Sequence, residues 1–277
     1  MKLVLTLLVR DEEDIIRENI LFHLNQGVDF IIATDNNSVD STPDILREFE
    51  KQGVLHLINE TQDDYSQAIW VTRMARMAVN SYGADWVINS DADEFWWPQT
   101  GNLKKTLKQI PADVSVLKIE RNDFIIRDYY DSCFYERMIY KKSISLNHLG
   151  KPLPPKVCHR GFADVIVKQG NHGLVFPENA NTIETGEIEI FHFPMRSFAQ
   201  FENKIKLGGA AYGRNTKLNK NVGNCWRMLY NQQQKGGFND FVNAHTFSQS
   251  EIESKLNNGD LTIDPRLRDY LISISGR

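Results

Sequence analysis

The chain has 277 residues, 41% of them hydrophobic and 25% charged, and its 32 basic and 36 acidic side chains give a formal net charge of -4. That balance excludes wholesale disorder, and the lack of a basic excess excludes a general nucleic-acid binder. Three widely spaced cysteines, Cys133, Cys158 and Cys225, without a CxxC pair, exclude a disulfide framework or cysteine-rich zinc site and fit a reducing, cytoplasmic compartment.

The apolar run Leu3–Val9 reads as a strand buried on both faces. A signal peptide is the poorer reading, because Arg10-Asp11-Glu12-Glu13 follows at once without a small-residue cleavage site. The carboxylates open a helix with Ile16, Ile20 and Leu24 as its apolar stripe, stopped by Gly27. Residues 28–33 form a second strand and 35–42 a polar turn in which Asp40, Ser41 and Thr42 cap the next helix. That helix starts at Pro43 and ends at Gly53. A third strand covers 54–58, a long helix 64–82 and a fourth strand 86–89, which runs into Ser90-Asp91-Ala92-Asp93-Glu94. Another strand is expected at 114–119.

Strands alternating with helices of this length predict a mostly parallel sheet covered on both faces. Ligands of such sheets bind beyond the carboxyl ends of the strands. Three polar clusters fall there: Arg10-Asp11, the stretch 35–40 and the stretch 91–94. Beyond residue 120 the pattern loosens. The proline-rich stretch 151–155 reads as a rigid loop, 188–193 as a strand and 197–212 as a helix interrupted at Gly208-Gly209. The remainder is polar to about Phe247 and then helical. The expected division is a core domain, 1–210, and a C-terminal extension, 211–277. No run reaches the ~20 apolar residues of a membrane span, so membrane contact would be peripheral.

Asp91-Ala92-Asp93 at a strand end has the spacing for two carboxylates to face a hard cation shared with substrate phosphates; the bland alternative is a solvated acidic turn. Asp35 is the candidate ligand of the second cluster. Arg73 and Arg76 on the long helix are candidates for a nucleotide phosphate, against a solvated helix face. His192 and His172 are rival candidates for an imidazole metal ligand, and Arg196 for a phosphate contact. GxGxxG after a strand, GxxxxGK[ST], GxSxG and HExxH are all missing, which removes dinucleotide-binding, P-loop and two hydrolase signatures.

Together these residues resemble the glycosyltransferase family 2-like superfamily with the GT-A fold, in its bacterial branch with an Asp-x-Asp-Glu-Phe motif. The likeness rests on Val9-Arg10-Asp11-Glu12-Glu13, on the turn 34–42, most strongly on 86–97, and more weakly on 192–197. It implies an α/β GT-A-like fold and a nucleotide-diphosphate-sugar donor of UDP or GDP type. It also implies transfer to a glycan or lipid-linked acceptor, as in polysaccharide biosynthesis at the inner face of a membrane. By the same likeness Asp91 and Asp93 would be the DxD pair on Mn²⁺ or Mg²⁺, with His192 as a further ligand. Arg10, Asp11 and Asp35 would line the nucleotide pocket. An inverting transfer also needs a carboxylate base, for which Asp123 is the first candidate and Asp164 the second. Glu94 is a candidate for holding the ligands in place, and Trp96, Trp97, Tyr129 and Tyr130 are candidates for stacking on sugar rings. Two other readings stay open: a nucleotidyltransferase making nucleotide sugars, which the glycine-free first turn disfavours, and a non-catalytic nucleotide- or glycan-binding module.

Overall fold

The computed structural model describes residues 1–126, 133–147, 150–176, 180–219 and 222–275. In chain order the first elements are β1 (Leu3–Val9), α1 (Ile16–Asn25), β2 (Phe30–Asp35), α2 (Thr42–Lys51), β3 (Leu55–Asn59), α3 (Gln67–Asn80), β4 (Trp86–Asp91), β5 (Glu94–Pro98), α4 (Leu103–Lys108) and β6 (Val114–Ile119). There follow β7 (Arg121–Ile125), α5 (Phe134–Arg137), β8 (Tyr140–Lys142), β9 (Lys156–Arg160), β10 (Ile166–Val167), β11 (Leu174–Val175), β12 (Asn181–Glu184) and β13 (Ile188–His192). The chain ends with α6 (Phe198–Arg214), α7 (Asn224–Gln234), α8 (Phe238–Asn243), α9 (Gln249–Asn257), β14 (Leu261–Ile263) and α10 (Arg266–Ser275). Two compact units result: Met1–Gln62 with Ser66–Arg121 and Pro154–Phe191, and Asp63–Tyr65 with Asn122–Leu153 and His192–Arg277. The boundary drawn at 210 from the sequence falls inside α6 of the second unit.

The first unit is built on a seven-stranded sheet in the order β12-β6-β9-β4-β1-β2-β3. Strands β4, β1, β2 and β3 run parallel, as β–helix–β connections require. The apolar run of β1 is central, and six of its seven residues are buried. The chain first moves outward through β2 and β3, then returns to place β4 on the other side of β1. A right-handed return therefore lays α3 on the face opposite α1 and α2. There Val71, Met74, Ala75 and Ala78 of α3 pack with Val4, Ile32 and Val87 of the strands. The helix begins at Gln67, three residues later than its sequence pattern suggests. Strand β9 is the reversed member. It pairs antiparallel with β4, Trp86 opposite Arg160 and Ile88 opposite Cys158. That reversal brings the first residue of β9, Lys156, level with the carboxyl end of β4.

The aromatic run 95–97 belongs to a strand, β5, rather than to a sugar-binding surface. Trp96 is fully buried and its indole N–H donates to Ser90 Oγ at 3.0 Å. The Trp97 ring lies between Phe22 and Phe191, at centroid distances of 5.9 and 5.3 Å. Burial of apolar area wins over display here, as it commonly does for such rings.

In the second unit β7, β8 and β14 pair antiparallel. Helices α6 to α8 share a small core of Phe201, Ile205, Leu229, Phe238 and Val242. The Gly208-Gly209 pair does not interrupt α6. A Cβ at 208 would meet the Trp226 ring at 2.8 Å, and one at 209 would meet Tyr230 Cβ at 2.3 Å. The glycines thus allow α7 to approach, which a period-based reading of α6 alone does not reveal. The polar stretch before 247 is already helical in α7 and α8, and Ser248 with Glu251 forms a capping box on α9. Among the described residues no helix is long and apolar enough to cross a membrane.

Candidate active site at the carboxyl edge of the parallel sheet

Register fixes the site. Val9 at the end of β1 lies opposite Asp35 of β2, and Leu8 lies opposite Asp91 of β4. Neighbouring strands are ~4.8 Å apart, so the three polar clusters read from the sequence meet along one edge of the first unit. Because successive strands leave β1 in opposite directions, the gap between β1 and β4 is the switch point at which open α/β sheets bind ligands.

At the β1 and β2 ends, acidic side chains hold the connecting loops. Asp11 adopts a left-handed backbone, φ 52°, a conformation that aspartate tolerates better than most residues. Its N–H donates to Ser38 Oγ at 2.9 Å, and its Oδ1 accepts the Val39 N–H at 2.7 Å. Glu13 accepts the Ser41 N–H at 2.8 Å. The cluster Asp11–Glu13 is therefore a brace on the turn after β2, a role its residue types alone do not specify. Arg10 stands half-buried at the end of β1. Asp35 is 6% exposed; Oδ2 accepts the Ser38 N–H at 3.4 Å, while buried Oδ1 has no hydrogen-bond partner. Burial, with Asp40 and Asp11 nearby, raises its pKa above the usual carboxylate value. A buried acceptor oxygen with nothing to accept from suits a hydroxyl or N–H arriving with a ligand. Arg73 pairs with Glu60 at 3.1 Å, next to β2, where the Glu60 N–H donates to the Asp35 carbonyl at 2.8 Å. Arg76 instead donates to the carbonyls of Val165 and Asp164.

The β4 end is organised around a cation that the sequence reading did not single out. Lys156 is 1% exposed, and its Nζ lies 2.5 Å from Asp91 Oδ2 and 3.0 Å from Glu94 Oε1. Arg121 reaches the same Glu94 oxygen at 3.5 Å. The other oxygen of Glu94 accepts the Asp91 N–H at 3.2 Å, so Glu94 ties the start of β5 to the end of β4. Asp91 Oδ1 accepts from Asn171 Nδ2 at 3.2 Å and from Gln67 Nε2 at 3.4 Å. Asp93 is buried just beyond. Lys156 opens the strand Lys-Val-Cys-His-Arg after two prolines, where nothing in the sequence separates it from a loop charge. Gln67 and Asn171 carry no signal at all.

His172, the rival metal ligand, places Nδ1 3.1 Å from the Pro155 carbonyl. The carbonyl can only accept, so Nδ1 carries the proton. Burial first, then the nearby Lys156 and Arg121 charges, lowers its pKa to about 3. His192, at the end of β13, lies in the second unit with Nδ1 2.7 Å from Asp123 Oδ1. Lys142 reaches the other Asp123 oxygen at 3.7 Å. The first base candidate is thus a paired carboxylate. Asp164 is exposed on a loop. Arg196 is fully buried and donates to the Phe193 carbonyl at 3.0 Å, which removes it from a surface phosphate site. Tyr129 and Tyr130 lie outside the described residues.

The divalent-metal ligands that the family resemblance implies differ in fit. Both Asp91 oxygens are already engaged by an ammonium and two amides, so Asp91 does not fit a ligand role. Asp93 offers a buried carboxylate. The carboxylate on His192 Nδ1 is the arrangement that orients an imidazole for metal through its other nitrogen.

A family model described as glycosyltransferase family 92 matches residues 6–160, more than half of the chain. No curated protein matches. Among solved structures, S. aureus TarS 1–349 matches at 15% identity, covering 79% of this chain and 67% of that one, with a TM-score of 0.45. TarS 1–349 in complex with UDP-GlcNAc matches at 14% identity over 90% of this chain and 74% of that one, TM-score 0.46. Glucosyl-3-phosphoglycerate synthase from Mycobacterium tuberculosis, in complex with phosphoglyceric acid, matches at 15% identity over 49% of this chain and 46% of that one, TM-score 0.29.

Proposed function

Because the chain belongs to glycosyltransferase family 92, we propose that it transfers a sugar from a UDP- or GDP-type donor to a glycan or lipid-linked acceptor. The observation that supports this most is the register that brings Arg10, Asp35 and Asp91 to one edge beside the β1–β4 switch point. Asp35 accepts from the ribose or base, with its unpartnered Oδ1. The diphosphate lies at the gap between β1 and β4, near Arg10. Asp123, working with the imidazole of His192 bonded to it, takes the proton of the acceptor hydroxyl. Of the implied ligands for Mn²⁺ or Mg²⁺, Asp93 of the first unit has the fitting chemistry, a buried carboxylate. When bound, such an ion offsets charge on the departing diphosphate.

The test is a thermal-stability panel of UDP, GDP, CMP and dTDP, followed by turnover of the matching nucleotide sugars. A ligand at a hundred times its dissociation constant adds about 2.7 kcal/mol. Stabilisation by one nucleoside diphosphate, together with its release from a nucleotide sugar, supports the reading. Binding without turnover would reduce the chain to a binding module. No stabilisation by any of the four would remove the donor site.

A further inference from the structure

We infer that Lys156 is the resident cation of Asp91, and that Asp91 is consequently not a ligand to a divalent metal. In this chain the first carboxylate of the DxD pair is matched by the protein's own ammonium, which positions Asp91 and cancels its charge where a diphosphate must approach. The inference rests on the donor reading above only for its nucleotide measurement.

Four observations converge. First, sheet topology requires the encounter: the antiparallel register of β9 on β4 carries Lys156 to the end of β4, and the ammonium is buried there. Second, two cations, Lys156 and Arg121, already face the two carboxylates Asp91 and Glu94. A divalent ion placed on Asp91 would take from a buried ammonium its nearer carboxylate and leave it only Glu94, which it shares with Arg121, an unfavourable outcome for a buried charge. Third, both oxygens of Asp91 are committed, Oδ2 to Lys156 and Oδ1 to the amides of Asn171 and Gln67. Fourth, the amide cradle is tied in place. Asn171 and Gly170 take positive φ, 60° and 75°, which both residue types tolerate. Gln67 Oε1 accepts the Gly170 N–H at 3.0 Å, tying the turn to α3, and the Asn171 amide of that turn ends on Asp91.

The decisive measurement is Mn²⁺ alone, titrated into the nucleotide-free full chain and followed by electron paramagnetic resonance. Wild type and Asp91→Asn should agree within threefold, whether both bind Mn²⁺ through other ligands or neither binds. Lys156→Gln should gain at least tenfold in Mn²⁺ affinity, because the freed carboxylate is then available. Lys156→Arg keeps the charge and should resemble wild type, which covers the case in which the glutamine variant does not fold. In the nucleotide measurement, UDP or GDP binding in EDTA should weaken at least tenfold in Lys156→Gln relative to Lys156→Arg. A tenfold or greater loss of Mn²⁺ affinity in Asp91→Asn overturns the inference, because it makes Asp91 a metal ligand despite Lys156. If no nucleotide binds in any buffer, the donor reading fails by itself and the Mn²⁺ titration still decides the role of Lys156.

Discussion

Asp35 and Asp91 end the two strands that flank β1, one residue apart in register on one sheet edge, and the protein treats them in opposite ways. Asp35 is almost wholly buried, has one oxygen without a partner and no cation in its hydrogen-bond shell. Asp91 is about one-third exposed, yet both its oxygens are engaged. Position along a parallel sheet selects where a ligand binds, but the neighbouring elements decide what each carboxylate can do. The loop after β2 supplies the backbone and side chain of Ser38 and leaves Oδ1 vacant. Strand β9 and the turn at 169–171 supply a cation and an amide, and complete the shell of Asp91.

The largest effect that separates the two ends is expected from Lys156→Met. It leaves Asp91 and buried Glu94 with less compensation, and breaking a buried pair by removing one partner costs about 3–5 kcal/mol. Denaturant unfolding measures this, and adding Asp91→Asn to the variant should recover part of the loss, since the two sites are in contact. A loss below about 1 kcal/mol would mean that the ammonium is not holding the β4 end.

Asp35→Asn should do the reverse, costing binding rather than stability. A hydrogen bond to a charged group contributes about 1.5–3 kcal/mol, so affinity for the nucleoside diphosphate should fall roughly ten- to hundredfold. The folded-state pKa of Asp35 is raised by burial. Its contribution to stability is therefore greatest below the ordinary value of 3.8 and is lost as pH rises through the raised one. At pH 7 the asparagine variant should be at least as stable as wild type, and that advantage should vanish below pH 3.8. Equal destabilisation at both pH values would show that Asp35 is a structural residue.

Sequence periodicity carried much of the first unit. The apolar run of β1, the Pro43 helix start and the four-residue face of α3 each follow from local rules, and the strand-end rule places Asp35 and Asp91 on one edge. What it missed depends on pairings distant in sequence. Lys156 meets Asp91 only because β9 runs antiparallel, and a lysine after Pro154-Pro155 looks like any loop charge. The Asn171 amide depends on a left-handed turn eighty residues from its acceptor. The glycines of α6 mislead for a related reason: they break helical propensity locally, while the packing of Trp226 and Tyr230 against them is tertiary.

A smaller, pH-dependent difference between the two ends comes from His172. Lys156 and Arg121 reinforce the effect of burial and lower its pKa to about 3 from 6.5. Such a group contributes stability above pH 6.5 that is lost as pH falls toward 3, because the unfolded chain takes up the proton first. His172→Gln should accordingly show a shallower loss of stability between pH 6.5 and 3 than wild type. An unchanged slope would mean that neither burial nor the two cations of the β4 end lower the pKa of the imidazole.

The smallest effect is expected at Arg73. Its guanidinium is 42% exposed and pairs at 3.1 Å with Glu60, which is only 11% exposed but also accepts the Gln62 N–H, so losing this solvent-screened partner costs about 1 kcal/mol. Arg73→Ala should therefore lower stability by no more than that, with the difference shrinking in high salt as the pair is screened. The informative readout is nucleotide affinity. Glu60 adjoins Asp35 through the backbone, so an arginine that left Glu60 for a bound phosphate would give the β2 end a cation of its own. An affinity change within about threefold leaves Arg73 with Glu60 and keeps the two strand ends distinct. A loss of tenfold or more places Arg73 on the donor, and the contrast between Asp35 and Asp91 then becomes one of timing: the β4 end holds its cation before the ligand arrives, and the β2 end acquires one with it.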